Sequence, residues 1–401
     1  MHNISVIGIG PGAEQYLTLR AMDGIRSADC VFAARRHAHL VDPARLCPLE
    51  PLSAALDDMR ARREAGARVA VLVSGDTGLF SMLGMLRREF GAQSLTVVPG
   101  ISALQAMCAE LGESWQDARI LSAHGRELPA QALCREVRAH GDTILFCDAR
   151  HDPAWICRAL ASGGCGHCEV AVGERLSYED ARMLRGTPAE LMDAQCDSTC
   201  MVRVHNPRPE PGRPPIGLPD DVFLRGKTPM TKREVRVLAL AALRLERDSL
   251  VWDVGAGTGS VSVECALQCP WGHVYAVERD EDALELITAN CERMLALNVD
   301  IVPGSAPEAL RDLPAPTHVF LGGCGGRASE VIALIESMGR PVRLVANAVT
   351  MESAHELLER LSAWQELEAF QAGITRLDRV GRYRMFRAQN PVFVISASWP
   401  G

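Results

Sequence analysis

Apolar positions in this chain fall into short runs separated by stretches of helical spacing. Ile4–Ile7 and Leu250–Val254 are nearly continuous aliphatic blocks. Blocks of this length read as strands buried on both faces. SVSVECALQ (260–268) shows helical spacing instead. Beyond it the two patterns alternate: a helix over 281–296 precedes a strand over 299–302, and a strand over 317–322 precedes a helix over 328–338. A strand over 342–347 then precedes a helix over 351–363, and two late strands near 365–373 and 391–397 follow without a helix between them. Such alternation predicts an open α/β sheet, here of seven strands, with ligand loops at the carboxyl ends of the strands.

The pattern breaks once. From His205 the chain reads HNPRPEPGRPPIGLP, with prolines at 207, 209, 211, 214, 215 and 219. Proline lacks a backbone donor, so this stretch continues neither a helix nor a central strand. It reads as a stiff linker over 207–216 between domains 1–206 and 217–401. No solenoid repeat is present.

Composition narrows the class. The net charge of −8 argues against nucleic acid, which favours basic proteins. No apolar run approaches the ~20 residues of a membrane span. No basic region precedes the apolar stretch in MHNISVIGIGPG, so it does not read as a signal peptide, and a cytoplasmic protein is expected. The 14 cysteines are scattered through core-like segments and read as buried thiols. Cys165-Gly166-His167-Cys168 follows a flexible SGG and runs into a strand-like EVAVG, so a surface turn is expected there rather than a redox or metal site.

Chemistry enters at the glycine loops. Leu250–Val254 leads into Gly255-Ala256-Gly257-Thr258-Gly259-Ser260 and then a helix. Glycines let a ligand approach the backbone, and the helix start offers free N–H groups. A dinucleotide fingerprint would place its third glycine or alanine at 260, where this chain has Ser260. The next strand, Val274–Val277, ends on Glu278, an acid placed to take two ribose hydroxyls.

The segments GLPDDVFLRGKTPMTKREVR (217–236), DVGAGTGSVSVECAL (253–267), GSAPEAL (304–310), FLGGCGGR (320–327) and NAVTMES (347–353) resemble the decarboxylating precorrin C15-methyltransferase family of cobalamin biosynthesis. The resemblance implies a Rossmann-like class I methyltransferase with a seven-stranded, mostly parallel sheet. It implies S-adenosylmethionine (SAM) at Gly255, Gly257, Thr258, Gly259, Glu278, Ser305, Ala306 and Thr231. Ser305 stands where many methyltransferases carry Asp.

In the first half, Ile4–Ile7 leads into Gly8-Ile9-Gly10-Pro11-Gly12. VAVLVSGDTGLF (69–80), VVPGISALQ (97–105) and GERLSYEDARMLRGTPAEL (173–191) resemble the tetrapyrrole methylase family, or class III SAM methyltransferases, in its precorrin C5 branch. The resemblance implies SAM at Gly75, Asp76, Thr77, Ser102 and Ala103. It places Gly10, Pro11 and Gly12 on the tetrapyrrole side. Thr77 replaces the proline usual after Gly-Asp. An alternative role for Asp76 is to cap a helix starting near Leu79.

Together the resemblances imply an α/β enzyme with two SAM sites. It would methylate carbons 5 and 15 of a corrin precursor and remove carbon dioxide from the ring C acetate. Neither reaction requires a metal. A substrate with many carboxylates favours arginine partners: Arg35, Arg36 and His37 in the first half, and Arg225, Lys227, Lys232, Arg233, Arg379, Arg382 and Arg384 in the second. The metal-free substrate is favoured over its cobalt-bound equivalent by analogy with fused domains. Domains of these families commonly self-associate, so a homo-oligomer is expected. Competing readings are a nicotinamide-dependent oxidoreductase, opposed by Ser260, and a non-enzymatic SAM or tetrapyrrole sensor.

Overall fold

In the computed structural model, which describes residues 2–125, 127–197, 199–210, 216–323 and 325–401, the apolar runs become strands of three main sheets. Residues 211–215 of the expected linker and Cys324 of the glycine-rich GGCGG loop lie outside the described residues. The chain divides into two compact units. The first comprises 1–127, 136–161 and 165–209, and the second 128–135, 162–164 and 210–401.

The first unit holds two sheets. β1 (Ile4–Gly8), β2 (Cys30–Ala33), β3 (Leu46–Pro48), β4 (Val69–Val73) and β5 (Leu95–Val98) pair in the order β3-β2-β4-β1-β5. Every pairing is parallel. Side chains alternate across a strand, and here both faces are covered. Val69, Val71 and Val73 pack in one apolar cluster with Val6, Phe32 and Met59. Ala70 and Leu72 pack in another with Ile7, Val31 and Ile25. That explains the unbroken apolar runs. The second sheet is mixed. β6 (Arg119–Ser122), β7 (Asp142–Phe146), β8 (Glu169–Glu174), β9 (Arg182–Gly186) and β10 (Cys200–His205) pair in the order β6-β7-β10-β8-β9.

The second unit is one seven-stranded sheet. β11 (Leu250–Val254), β12 (His273–Glu278), β13 (Val299–Pro303), β14 (His318–Leu321), β15 (Val342–Ala348), β16 (Gln365–Ala372) and β19 (Val392–Trp399) pair in the order β13-β12-β11-β14-β15-β19-β16. β19 runs antiparallel to both of its neighbours. Trp252 is fully buried in the centre, and its indole N–H donates to the Pro314 carbonyl at 3.1 Å.

Two local expectations need correction and one is extended. The two late strands follow without a helix between them, as expected, and a hairpin of β17 (Thr375–Val380) and β18 (Tyr383–Ala388) joins them. It packs little against the sheet, so Leu377, Val380, Tyr383, Met385 and Phe386 stay exposed. At Cys165–Cys168 there is a turn, but only Gly166 and His167 are exposed, and both thiols are fully buried. Their mutual hydrogen bond and their burial push the Cys168 thiol well above its ordinary range. The helix expected near Leu79 begins at Leu83 and has no side-chain cap.

The entry segment 217–231 has little regular structure beyond one short turn of 3-10 helix at Asp220–Val222. A buried ion pair fixes it. Arg236 is fully buried and donates through Nε to Glu264 at 2.5 Å, and through Nη1 to the Thr231 carbonyl at 2.6 Å. Glu264 in turn accepts the backbone N–H groups of Gly217 at 2.6 Å and Leu218 at 3.0 Å. The guanidinium also lies over the Phe223 ring, 4.8 Å from its centroid. Removing one partner of such a pair leaves an uncompensated buried charge. Arg236→Met is expected to cost about 3–5 kcal/mol, read by denaturant unfolding. Hydrogen exchange should rise first over residues 217–232; a uniform rise across the unit would show that the pair holds no particular segment.

Candidate functional site

In the second unit a cavity of about 910 Å³ opens at the carboxyl ends of the parallel strands. Its floor is the loop after β11, with Gly255, Ala256 and Gly257. Glu278 from β12, Ser305 and Ala306 after β13, Gly322 and Gly323 after β14, and Asn347 from β15 also line it. The entry segment supplies the rim, from Lys227 to Lys232.

The floor can form only if the backbones approach closely. Gly255 has φ +73°, and a Cβ there would stand 2.0 Å from the Gly323 carbonyl oxygen. Only glycine satisfies both conditions. Glu278 is tied to the same loop: it accepts the N–H of Gly257 at 2.9 Å, and those of Arg279 and Asp280 at 2.7 and 3.1 Å. The Asn347 side-chain oxygen is buried without a partner among the described residues, on a residue that lines the cavity. A buried acceptor left open in this way fits a polar ligand.

The expected site residues divide. Gly255, Gly257, Glu278, Ser305, Ala306, Thr231, Lys232 and Lys227 line the cavity. Thr258 and Gly259 lie buried behind it, where Gly259 caps the helix Ser260–Gln268 and the Thr258 carbonyl accepts from Asn290 at 2.8 Å. Arg225 and Arg233 are exposed and are not among the lining residues, and Arg379, Arg382 and Arg384 lie exposed on the hairpin. The sequence reading missed Ile374, Gln389 and Asn390, which line the cavity from the base of that hairpin. Arg279 and Arg327 were missed as well. Arg327 is already held by Glu308 and Glu330, both at 2.7 Å.

In the first unit the same construction recurs at the ends of β1, β4 and β5. Gly10 and Gly75 exchange backbone hydrogen bonds. A Cβ on Gly100 would stand 2.4 Å from the Gly75 carbonyl, so these loops also meet backbone to backbone. Asp76 accepts the N–H of Gly78 at 2.8 Å and that of Gly100 at 3.2 Å, which ties two loops together rather than capping a helix. Thr77 is buried and Ala103 half-buried. Ser102, expected at SAM, has its N–H already committed. That group donates to Gln105 Oε1 at 2.8 Å, and the Ser102 hydroxyl accepts the Gln105 N–H in a capping box.

The GERLSY segment closes on the first glycine loop. The Ala13 N–H donates to the Ser177 hydroxyl at 3.2 Å, and Arg175 lies over the Tyr178 ring. The His39 ring nitrogen Nε2 lies 3.3 Å from the Gly12 carbonyl. Pro11 is half-buried beside it. Arg35 and Arg36 are exposed, and His37 is buried against Ser74. The sequence reading did not single out Ser74. Among the described residues no group of three or more His, Cys, Asp or Glu is arranged to hold a metal. No helix of the described residues is long and apolar enough to cross a membrane.

Asp253, the residue before Val254 at the end of β11, carries a titration signature. Burial pushes its carboxyl up to about 7, Ser262 donates to one oxygen, and the other has no partner among the described residues. A raised carboxyl binds its proton in the folded state while the unfolded chain has already released it. Stability therefore falls as pH rises from the ordinary Asp value toward 7, and levels off above. Wild type should lose up to about 1.4 kcal/mol per pH unit in that window. Asp253→Asn should lose that slope and gain relative stability at pH 8, measured by unfolding curves across the range; identical slopes would place the titration elsewhere.

The comparisons with known proteins agree with this two-part construction. Residues 3–192 match the family described as tetrapyrrole (corrin/porphyrin) methylases, and residues 221–398 match the precorrin methyltransferase domain. A precorrin-6Y C(5,15)-methyltransferase (decarboxylating) from Sinorhizobium is 30% identical over 89% of this chain and 87% of its own. A cobalt-precorrin-6B C(15)-methyltransferase (decarboxylating) from Salmonella typhimurium is 41% identical over 44% of this chain and 93% of its own. A crystal structure of a precorrin-6y C5,15-methyltransferase from Geobacter metallireducens is 37% identical, covers 47% of this chain and 98% of that one, and has a TM-score of 0.44. The chain belongs to the decarboxylating precorrin-6Y C5,15-methyltransferase family, whose members are SAM-dependent methyltransferases.

Proposed function

We propose that this enzyme transfers two methyl groups from SAM to carbons 5 and 15 of a precorrin and removes the carboxyl of the ring C acetate, with one SAM site in each half. The observation that carries this reading is the repetition of one construction on two unlike sheets. A glycine loop at the carboxyl end of a parallel strand meets a second loop backbone to backbone near Gly75 and near Gly255. The smaller relative supports the division of labour, because its name carries only the C15 activity and nearly all of it matches under half of this chain. Carbon 5 then falls to residues 1–206, and carbon 15 with the decarboxylation to residues 217–401.

The cavity beside Gly255 fits SAM. It has the volume of a cofactor pocket, the acid Glu278 at its edge and the open acceptor Asn347. SAM supplies an electrophilic methyl on a sulfonium, which an electron-rich bridging carbon attacks in line. The chain contributes position. Loops fixed by backbone contact hold donor and acceptor at reacting distance, which replaces a bimolecular encounter. Lys227 and Lys232 on the rim can hold substrate carboxylates. When the acetate loses carbon dioxide, the electron pair left behind enters the conjugated ring, so no protein electron sink is needed. The same reading makes the chain self-associating, since a second copy would cover the exposed apolar hairpin. A second reading takes the cobalt-bound substrate, as the name of the Salmonella relative does.

Incubation of the full chain with SAM and metal-free precorrin-6B, followed by mass analysis, should show a gain of two methyl groups and the loss of one carbon dioxide. Faster turnover of the cobalt-bound substrate would favour the second reading. Calorimetry should count two SAM equivalents per chain. Glu278→Ala should weaken one of them by about 1–3 kcal/mol and leave the other unchanged. The same variant should still add the first methyl but slow the second and the decarboxylation together. Equal weakening of both sites would contradict a site-specific role for Glu278.

A further inference from the structure

The first unit contains a three-residue hydrogen-bonded ring for which the proposed chemistry has no use so far. Arg36 and His37 lie on the short 3-10 segment Arg35–Leu40 that follows β2, and Ser74 follows β4. β2 and β4 are parallel neighbours, so both segments leave the sheet at its carboxyl edge, where Gly10 and Gly75 also meet. Arg36 Nε donates to His37 Nε2 at 3.0 Å, Arg36 Nη2 donates to the Ser74 hydroxyl at 2.9 Å, and that hydroxyl lies 2.8 Å from His37 Nε2.

The donors decide the protonation state. A guanidinium N–H can only donate, so His37 Nε2 must carry a lone pair. The imidazole is then neutral, with its proton on Nδ1, and the single Nε2 lone pair is shared between the Arg36 Nε–H and the Ser74 O–H. The surroundings enforce this state. His37 is 3% exposed, and burial, with Arg36 and then His39 nearby, lowers its pKa to about 4. Its Nδ1 is buried without a partner among the described residues, a cost that a merely structural side chain would not need to bear. By contrast Arg36 and Ser74 are exposed. These contacts leave the N–H groups of Nη1 and one of Nη2 uncommitted to the ring, while the single Ser74 proton is spent on His37. Arg35, also exposed, adds a second positive charge one residue away.

We propose that Arg36 forms a carboxylate clamp for the tetrapyrrole in the N-terminal site, and that neutral His37, with the Ser74 hydroxyl, is the positioning residue that holds the guanidinium in the orientation the clamp needs. The proposal rests on the reading of this half as a precorrin methylase, and it names which group grips the substrate and what aims it. An unrestrained arginine loses side-chain freedom on binding; one already fixed at Nε has less to lose. The clamp is selective for a planar bidentate anion, because an acceptor on His37 fixes the plane of the fork.

The test uses the full chain, metal-free precorrin-6B as probe and two readouts: direct binding by absorbance titration, and the first methyl transfer by mass. His37→Phe keeps a planar ring but removes the acceptor. It should weaken binding and raise KM by about 10- to 100-fold, the range for a hydrogen bond to a charged group, with kcat for the first methylation nearly unchanged. Arg36→Lys should do the same, and the double variant should be no worse than either alone. His37→Gln restores an acceptor and should recover most of the loss. SAM binding in the N-terminal half, unchanged in every variant, certifies that this half is folded. Unchanged KM in His37→Phe, or equal loss in His37→Gln, would overturn the clamp. If wild type binds the precorrin and the variants do not, yet no variant or wild-type chain methylates it, the clamp stands and the assigned reaction fails. If wild type does not bind it at all, both fail.

Discussion

Backbone-to-backbone contact between loops is the constraint on which both halves depend. Each parallel strand delivers its loop to the same edge of its sheet, and neighbouring strands are close together, so the loops must meet. Where they meet there is no room for side chains: a Cβ on Gly100 would enter the Gly75 carbonyl, and one on Gly255 the Gly323 carbonyl. The cleared space leaves main-chain groups facing a ligand. A sulfonium cofactor with one charged tail and a neutral adenine suits such a surface, because uncharged peptide groups can bind it without a counter-charge that would compete for the methyl. The two sheets differ in strand order and direction, yet they reach this arrangement in the same way.

Polar side chains then hold the loops in place. Asp76 bridges Gly78 and Gly100, and Glu278 takes the N–H of Gly257. The Arg236–Glu264 pair does more. It is fully buried, and its oxygens hold the backbone of Gly217 and Leu218, so it anchors a segment that has almost no secondary structure of its own. A buried ion pair is a poor source of net stability but a strong source of specificity, because no other conformation satisfies so many committed donors. Here the specified conformation is the rim of the cavity.

The charge balance follows from the same division. The chain is acidic overall, at −8, while the groups suited to an anionic macrocycle are few and local. Several surface arginines are spent on neighbours, as Arg327 is on Glu308 and Glu330. Lys227 and Lys232 line the cavity, and Arg36 stands at the strand ends of the first unit with guanidinium N–H groups to spare. Local geometry, not net charge, therefore sets the affinity for a polyanion.

What the amino-acid order determined by itself is everything whose cause lies within a few residues. Valine runs made buried strands, and GAGTG made a turn at the end of one. These signals are local because backbone dihedrals and side-chain period act over one turn or one strand. The tertiary structure decided what depends on distant partners. The Ser102 N–H is committed because Gln105 folds back onto it. The turn at Cys165–Cys168 shows only Gly166 and His167 at the surface, because packing buries both thiols. The hairpin of β17 and β18 was hidden because its mixed apolar and arginine pattern has no buried face to announce it, yet its base brings Ile374, Gln389 and Asn390 to the cavity. Ser74 and His37 are 37 residues apart and share no motif. Only the parallel pairing of β2 with β4 sets them side by side, because hydrogen bonds between strands, not neighbours in the chain, choose which loops meet.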